Sequence, residues 1–524
     1  MKKEKRKENS THRVSLRFRI FAVAALLAAA ALLLYFGAGS GRQAELSPLP
    51  ENVLVDKPTL NLWYTDDSIT DFLAAAALDF SENSDVRVIP RLVSGLEYLE
   101  SINEASLSSN MVPDVYIIGN DSLEKAWLSG LASEVRNEDS YVSEENFPET
   151  ALRAVTYQDH LAGYPFYYET TALVYNLTYL EEAAADQLQA EADALAGQEA
   201  QAFVDENGGP LQEDAVQTGG GTAADARDDA AADGMEGASD EGRIAARTQE
   251  LIPETIDDIL AFADSYNAPE QVEAVFCWDV SDVFYNYFFI GNYVDVGGPD
   301  GDDTEMIDIY NPDAIRCLAA YQELTQFFSI DPEEVSYESV AQDFLDGKLV
   351  FTIATTDLLS RLEKAEEDGS FPYEYGVSRV PDIDGELVTR SLSVTDAVVV
   401  NGYSEKKDAA HAFARYLTQT AAGELYESSG KVPANTQISL PDVQTEAFAQ
   451  EYASSVPIPK MMAASNYWVQ MEIAFTRAWN GEDVSAVLRE ISEQIMTQVT
   501  GESYTEEYIE PPAEETEIQE QTSG

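Results

Sequence analysis

Two hydrophobic rhythms alternate along the chain from Pro58 onward. Pro58–Tyr64 (PTLNLWY) is a short apolar run of the kind that forms a strand. Ile69–Phe80 then places Phe72, Ala76 and Phe80 at helical spacing, behind the capping sequence TDDS at Thr65–Ser68. The pattern repeats: Val86–Ile89 reads as a strand, Glu97–Ser109 as a helix, Pro113–Ile118 as a strand and Leu123–Leu131 as a helix. Strand and helix in alternation predict a parallel sheet with helical cover. Ligands in such sheets gather at the carboxyl ends of the strands. Here those ends carry Asp66, Asp67, Asn120 and Asp121, residues that also serve as ordinary helix caps.

The stretch His160–Asn176, HLAGYPFYYETTALVYN, is aromatic and β-branched, with Glu169 as its one acid. Thr170–Tyr175 reads as its strand. Tyr164, Tyr167, Tyr168 and Tyr175 surround the acid. A carboxylate among tyrosines suits a polyhydroxyl ligand: the acid accepts hydrogen bonds and the rings cover apolar faces. A core strand with tyrosines on both faces has the same pattern.

Later elements keep the alternation. Helices are predicted at Glu254–Tyr266, Asp282–Tyr293, Pro312–Phe328, Leu358–Glu366, Lys406–Thr418, Thr445–Tyr452, Tyr467–Trp479 and Asp483–Val499. Strands are predicted at Val272–Trp278, Leu349–Ala354, Tyr375–Val380 and Val394–Val400. Trp278, Tyr285 and Tyr287 offer stacking faces, whereas Phe284, Phe288 and Phe289 suit a core.

Three segments break the pattern. Eight Lys and Arg residues precede an uncharged run from Ile20 to Gly41 that is long enough to cross a bilayer. The basic side stays in the cytoplasm, which puts the remainder outside. The length favours a single-pass anchor, while the small residues at 37–40 also suit cleavage and secretion. Segment 181–250, rich in Ala, Gly, Asp, Glu and Gln, reads as a disordered acidic insertion with helical ends. Segment 508–524 reads as a disordered acidic tail.

Charge narrows the function. At −64 the chain repels nucleic acid and anionic lipid. No phosphate loop or dinucleotide fingerprint follows the first strand. Three scattered histidines and two cysteines, Cys277 and Cys317, support neither a metal site nor a triad. No pair of acids can be assigned to glycoside hydrolysis. The sequence therefore predicts a binding protein without cofactor or metal, not an enzyme.

The ordered set of motifs resembles the extracellular solute-binding proteins of ABC sugar importers, the maltose-binding-protein-like group. The motifs are LNLWY at 60–64, YLESINEASLSSNMVPDVYII at 98–118 and WLSGLASEV at 127–135. They continue with GYPFYYETTALVYN at 163–176, PETIDDIL at 253–260 and DFLDGKLVFTIATTD at 343–357. KKDAAHAFARYLTQTAAGELY at 406–426 and GKVPAN at 430–435 complete the set.

The resemblance implies an α/β, two-lobed periplasmic-binding-protein-like fold (type II) with a hinge and an interlobe cleft. The basic head would be 1–19, the transmembrane segment 20–41 and the spacer 42–57. Lobe 1 would hold 58–168 and 380–425, and lobe 2 would hold 173–375 and 430–505. Ligand would close the lobes, and the closed monomer would deliver a mono- or oligosaccharide to permease subunits in the membrane.

The ligand contacts carried over are Asp66, Asp67, Asn120, Asp121, Tyr168, Glu169, Trp278, Asp279, Tyr285, Thr356, Tyr467 and Trp468. Thr355–Thr356 stands where maltodextrin binders have tryptophan, and the first strand has no lysine ligand. Both departures argue against malto-oligosaccharide specificity. The rival readings are a binding protein for a non-sugar solute and a membrane-anchored sensory or structural surface protein.

Overall fold

Leu60 and Leu62, both fully buried, draw β1 (Thr59–Tyr64) into the middle of a sheet. The computed structural model describes residues 57–108, 112–207 and 240–511. β1 pairs in parallel with β2 (Arg87–Leu92) on one side and β3 (Val115–Gly119) on the other. Helices Thr70–Asn83 and Tyr98–Ser108 connect these strands, as the alternating pattern predicts. The next strands of this sheet in chain order are β4 (Tyr164–Asn176), β5 (Ala274–Phe276), β6 (Leu349–Thr355), β7 (Tyr375–Ser378) and β8 (Leu392–Val400). The short strands β9 (Val432–Pro433) and β10 (Val456–Pro457) follow. The central order is β2-β1-β3-β8-β4-β6-β5, with β7 and β9 also on β4 and β10 on β8.

β4 belongs to two halves of this sheet. Its first half pairs antiparallel with β8, ending at Thr170 opposite Ser393. Its second half pairs with β6, beginning at Thr171 opposite Thr355. One peptide step thus carries the chain from one lobe to the other. The first core contains Leu62, Val115, Ile117, Phe72, Phe166, Val399 and Phe413. The second contains Leu173, Phe276, Trp278, Phe289, Tyr321, Phe351 and Phe475 on one face of the sheet. Val174, Phe344, Leu358, Leu362 and Phe448 cover its other face.

Several expectations need correction. Val380, Ile383, Leu387 and Leu392 pack in the second core, whereas Val432, Ala434 and Tyr452 pack in the first. The boundaries at 380 and 430 therefore shift, because β8 and the chain after Gly430 follow the sheet rather than the motif limits. The helical ends expected of segment 181–250 are present, and its middle, 208–239, lies outside the described residues. Helix Leu177–Asn207 runs through its start and helix Asp240–Glu250 forms its end. Alanine, glutamate and glutamine are strong helix formers, and Leu180, Ala183 and Ala184 are buried. Arg247 and Glu191 join the two helices at 2.9 Å.

At Asp282–Tyr293 the helix is only Val283–Asn286 with a 3₁₀ turn, since Trp278 Nε1 and the backbone of the preceding loop engage Asn286. Residues 508–511 are likewise held: Tyr508 donates to Asp483 at 2.7 Å, and the Ile509 amide donates to Tyr310 at 2.6 Å. Among the described residues no helix is long and apolar enough to span a membrane. The segment at 20–41 lies outside them, as does 512–524. Cys277 and Cys317 are free thiols.

Candidate ligand-binding cleft

The site begins where β1 ends. Asp66 caps the turn that follows, its Oδ1 accepting from the amide and hydroxyl of Ser68 at 2.9 and 2.7 Å. Its Oδ2 lies 3.2 Å from Lys431 Nζ and accepts from the Tyr167 hydroxyl at 3.4 Å. Lys431 also donates to Glu169 Oε1 at 2.5 Å. Helix Leu425–Ser429 stops at Gly430, whose φ of 72° is left-handed, a conformation that favours glycine. That turn releases the chain toward β4, where Val432 pairs with Tyr168 and sets Lys431 above the Tyr167 ring. Burial opposes the lysine charge, but Glu169 and Asp66 outweigh it and hold its pKa above the ordinary value. Asp66 is lowered: burial disfavours its charge, yet Ser68 and Lys431 together favour it more.

Further carboxylates face this group. Asp396, half-buried on β8, is pushed up to about 8, first by burial and then by Glu169, Asp121 and Asp66. Asp121 is solvent-exposed, yet the protein crowded around it raises its pKa. Lys431 pairs with Asp66 and Glu169 and acts at longer range on Asp396, whereas Asp121 is held by Ser122.

Two cavities open beside them. One, of about 330 Å³, is lined by Thr65, Tyr98, Gly119, Ser122, Lys125 and Asp396. The other, of about 310 Å³, has Asp121, Ser122 and Lys125 on the first lobe facing Val296, Met461 and Trp468 on the second. They share Ser122 and Lys125, so they form neighbouring parts of one cleft. Tyr467 is fully buried behind Trp468, with ring centroids 4.9 Å apart. Tyr285 stacks on Tyr337 at 4.7 Å and lies in the field of Glu169, Asp279 and Asp282.

Asp121, Tyr467 and Trp468 thus line the interlobe cavity, Asp66 and Glu169 meet at Lys431, and Tyr285 is buried against Tyr337. Other expected contacts are directed elsewhere. Asn120 is fully buried, donating to Ile458 O at 2.7 Å and accepting from the Thr395 amide at 2.9 Å. Tyr168 is buried and stacks on Tyr452 at 3.8 Å, because its side alternates away from that of Glu169. Trp278 is fully buried among Phe276, Phe328 and Trp479. Asp279 is occupied by Ser281, Asp282 and the Tyr337 amide. Thr356 is buried at the start of helix Thr356–Asp368. Asp67 is exposed in the turn that Asp66 caps. Sequence reasoning missed Lys431 and Asp396, and placed Tyr167 beside Glu169 without its bond to Asp66. The GKVPAN motif at 430–435 marked the right loop for Lys431 without marking its role.

Residues 216–450 match the family model for bacterial extracellular solute-binding proteins. An extracellular solute-binding protein of Staphylococcus aureus, solved with maltose, superposes with a TM-score of 0.62 at 15% identity, covering 84% of this chain and 98% of its own. A maltose-binding periplasmic protein of Listeria monocytogenes, also solved with maltose, gives 0.60 at 20% identity, covering 86% and 100%. A maltotriose-binding protein of Thermus thermophilus gives 0.58 at 17%, covering 84% and 100%. The two-lobed fold is that of this group, and the resemblance to extracellular solute-binding proteins read from the motifs holds.

Proposed function

We propose that this chain is the extracellular solute-binding component of an ABC transporter and captures a mono- or oligosaccharide between its lobes. The observation that carries this reading is the interlobe cavity, where Asp121, Ser122 and Lys125 face Trp468. Carboxylates and amines exchange hydrogen bonds with sugar hydroxyls, and an indole covers the C–H face of a sugar ring. The solved neighbours bound to maltose and maltotriose support the same class. Lobe closure around the solute would create the surface that docks on the permease subunits. The uncharged run at 20–41 would hold the protein at the membrane with its folded part outside. The chemistry asked of these residues is binding, not catalysis.

Calorimetric titration of the full chain with a panel of mono- and oligosaccharides tests the reading. Saturable binding that weakens in Glu169→Gln and Trp468→Ala is expected. No heat from any sugar with folded protein would overturn it in favour of a non-sugar solute or a surface protein that senses rather than transports.

A further inference from the structure

We propose that the captured solute carries a protonated amine, an amino sugar being the class that fits, and that the amine lodges against Asp396. The proposal rests on the carbohydrate reading above and narrows it.

Asp396 stands where β8 changes register. It pairs with Gly119 of β3 and with Tyr167 of β4, and the ladder to β4 slips between Asp396 and Ala397. Such bulges re-aim a side chain out of the regular pleat. The Asp396 carboxylate has no hydrogen-bond donor among the described residues, and its surroundings act on it through burial and charge alone. Tyr98 lines the same cavity and is only 8% exposed. Its buried hydroxyl lies near the Ile117 amide and Asp396 but completes no hydrogen bond. The buried hydroxyl is left without a partner, and beside it the half-buried Asp396 carboxylate opens onto the cavity, where a ligand can reach it.

The nearby cations are committed elsewhere. Lys431 is held by Glu169 and Asp66, and Lys125 pairs with Glu100. Glu97 also lines the cavity and adds negative charge. An ammonium offers three donors and no acceptor. It can donate to the Asp396 carboxylate while offsetting the local charge. A neutral hydroxyl supplies donors without that charge. The neighbouring cavity, which shares Ser122 and Lys125 as wall residues, holds Trp468, a face for the ring that bears the amine.

Asp396 with a pKa of about 8 holds a proton at neutral pH. The arriving ammonium favours the carboxylate, so the carboxyl proton passes to solvent and the amine keeps its own.

The test is calorimetry of the full chain at about pH 6, where the probe's amines are protonated and Asp396 still holds its proton, with chitosan trisaccharide, its N-acetylated counterpart and maltotriose, in two buffers of different ionisation heat. The amine should bind at least about tenfold more tightly than the two neutral sugars and release protons, seen as a buffer-dependent enthalpy. Asp396→Asn should bring that affinity ratio toward one. The proton count comes from the unmodified protein and does not depend on the variant folding. Equal affinities, or no proton release with the amine, would overturn the proposal while leaving the carbohydrate reading intact. No binding of any of the three would overturn the proposal and count against that reading too.

Discussion

Lys431 Nζ sits 2.5 Å from Glu169 Oε1, joining residues 262 positions apart at the point where the chain passes between lobes. The same ammonium reaches Asp66 at 3.2 Å, so one cation holds the end of β1 to the crossing strand β4.

Removing that cation leaves two acids facing each other. Lys431→Met should destabilise the protein by about 1–2 kcal/mol at pH 7, a figure kept modest because Glu169 is 41% exposed. Asp66 has a lowered folded pKa, so its contribution is present above the usual aspartate range and is lost as pH falls through the lowered value. Lys431 has a raised pKa, so its contribution is complete below the usual lysine range and fades only at higher pH. Urea unfolding should therefore show the largest gap between the two proteins near neutrality and a smaller one below about pH 4.

Asp396 has the opposite sign. Its folded pKa lies near 8, far above that of an unfolded aspartate, so the folded state holds more protons between the two values. Stability should fall as pH rises through that window and level off above it. Asp396→Asn abolishes the effect. In urea titrations the variant should match the parent near pH 4 and exceed it by a few kcal/mol near pH 9, with the gap between the two pKa values setting a ceiling of about 5 kcal/mol.

Two tryptophans separate binding from folding. Trp468 is half-buried on the cleft wall, and Trp278 is fully buried in the second core. Trp468→Ala should weaken sugar binding by about tenfold or more with little change in unfolding midpoint. Trp278→Ala should lower stability by about 3–5 kcal/mol. Paired calorimetry and chemical unfolding read both effects.

The fold was legible because its signals are local. The runs at 59–64, 87–92 and 115–119 declare parallel strands, and Glu169 stands out as one acid among tyrosines. The site was legible only where local pattern and geometry coincide. Tyr167 and Tyr168 are equivalent in composition, but strand alternation turns one to Asp66 and the other to Tyr452. Asn120 and Asp121 divide in the same way, one tying down the Thr395 amide and the other facing Trp468 across the cavity. Lys431 and Asp396 join the group only through pairings with β4, long-range contacts that no short window displays.

The step from Thr170 to Thr171 has a mechanical consequence. A rotation of one lobe about that peptide moves each atom in proportion to its distance from the axis. Glu169, immediately beside it, would travel least, and Asp66 and Lys431 would move with it as one unit. Trp468, on the far lobe, would sweep through a longer arc. A solute could then be gripped at the pivot while the cleft stands open, and the aromatic wall would arrive afterwards as a latch.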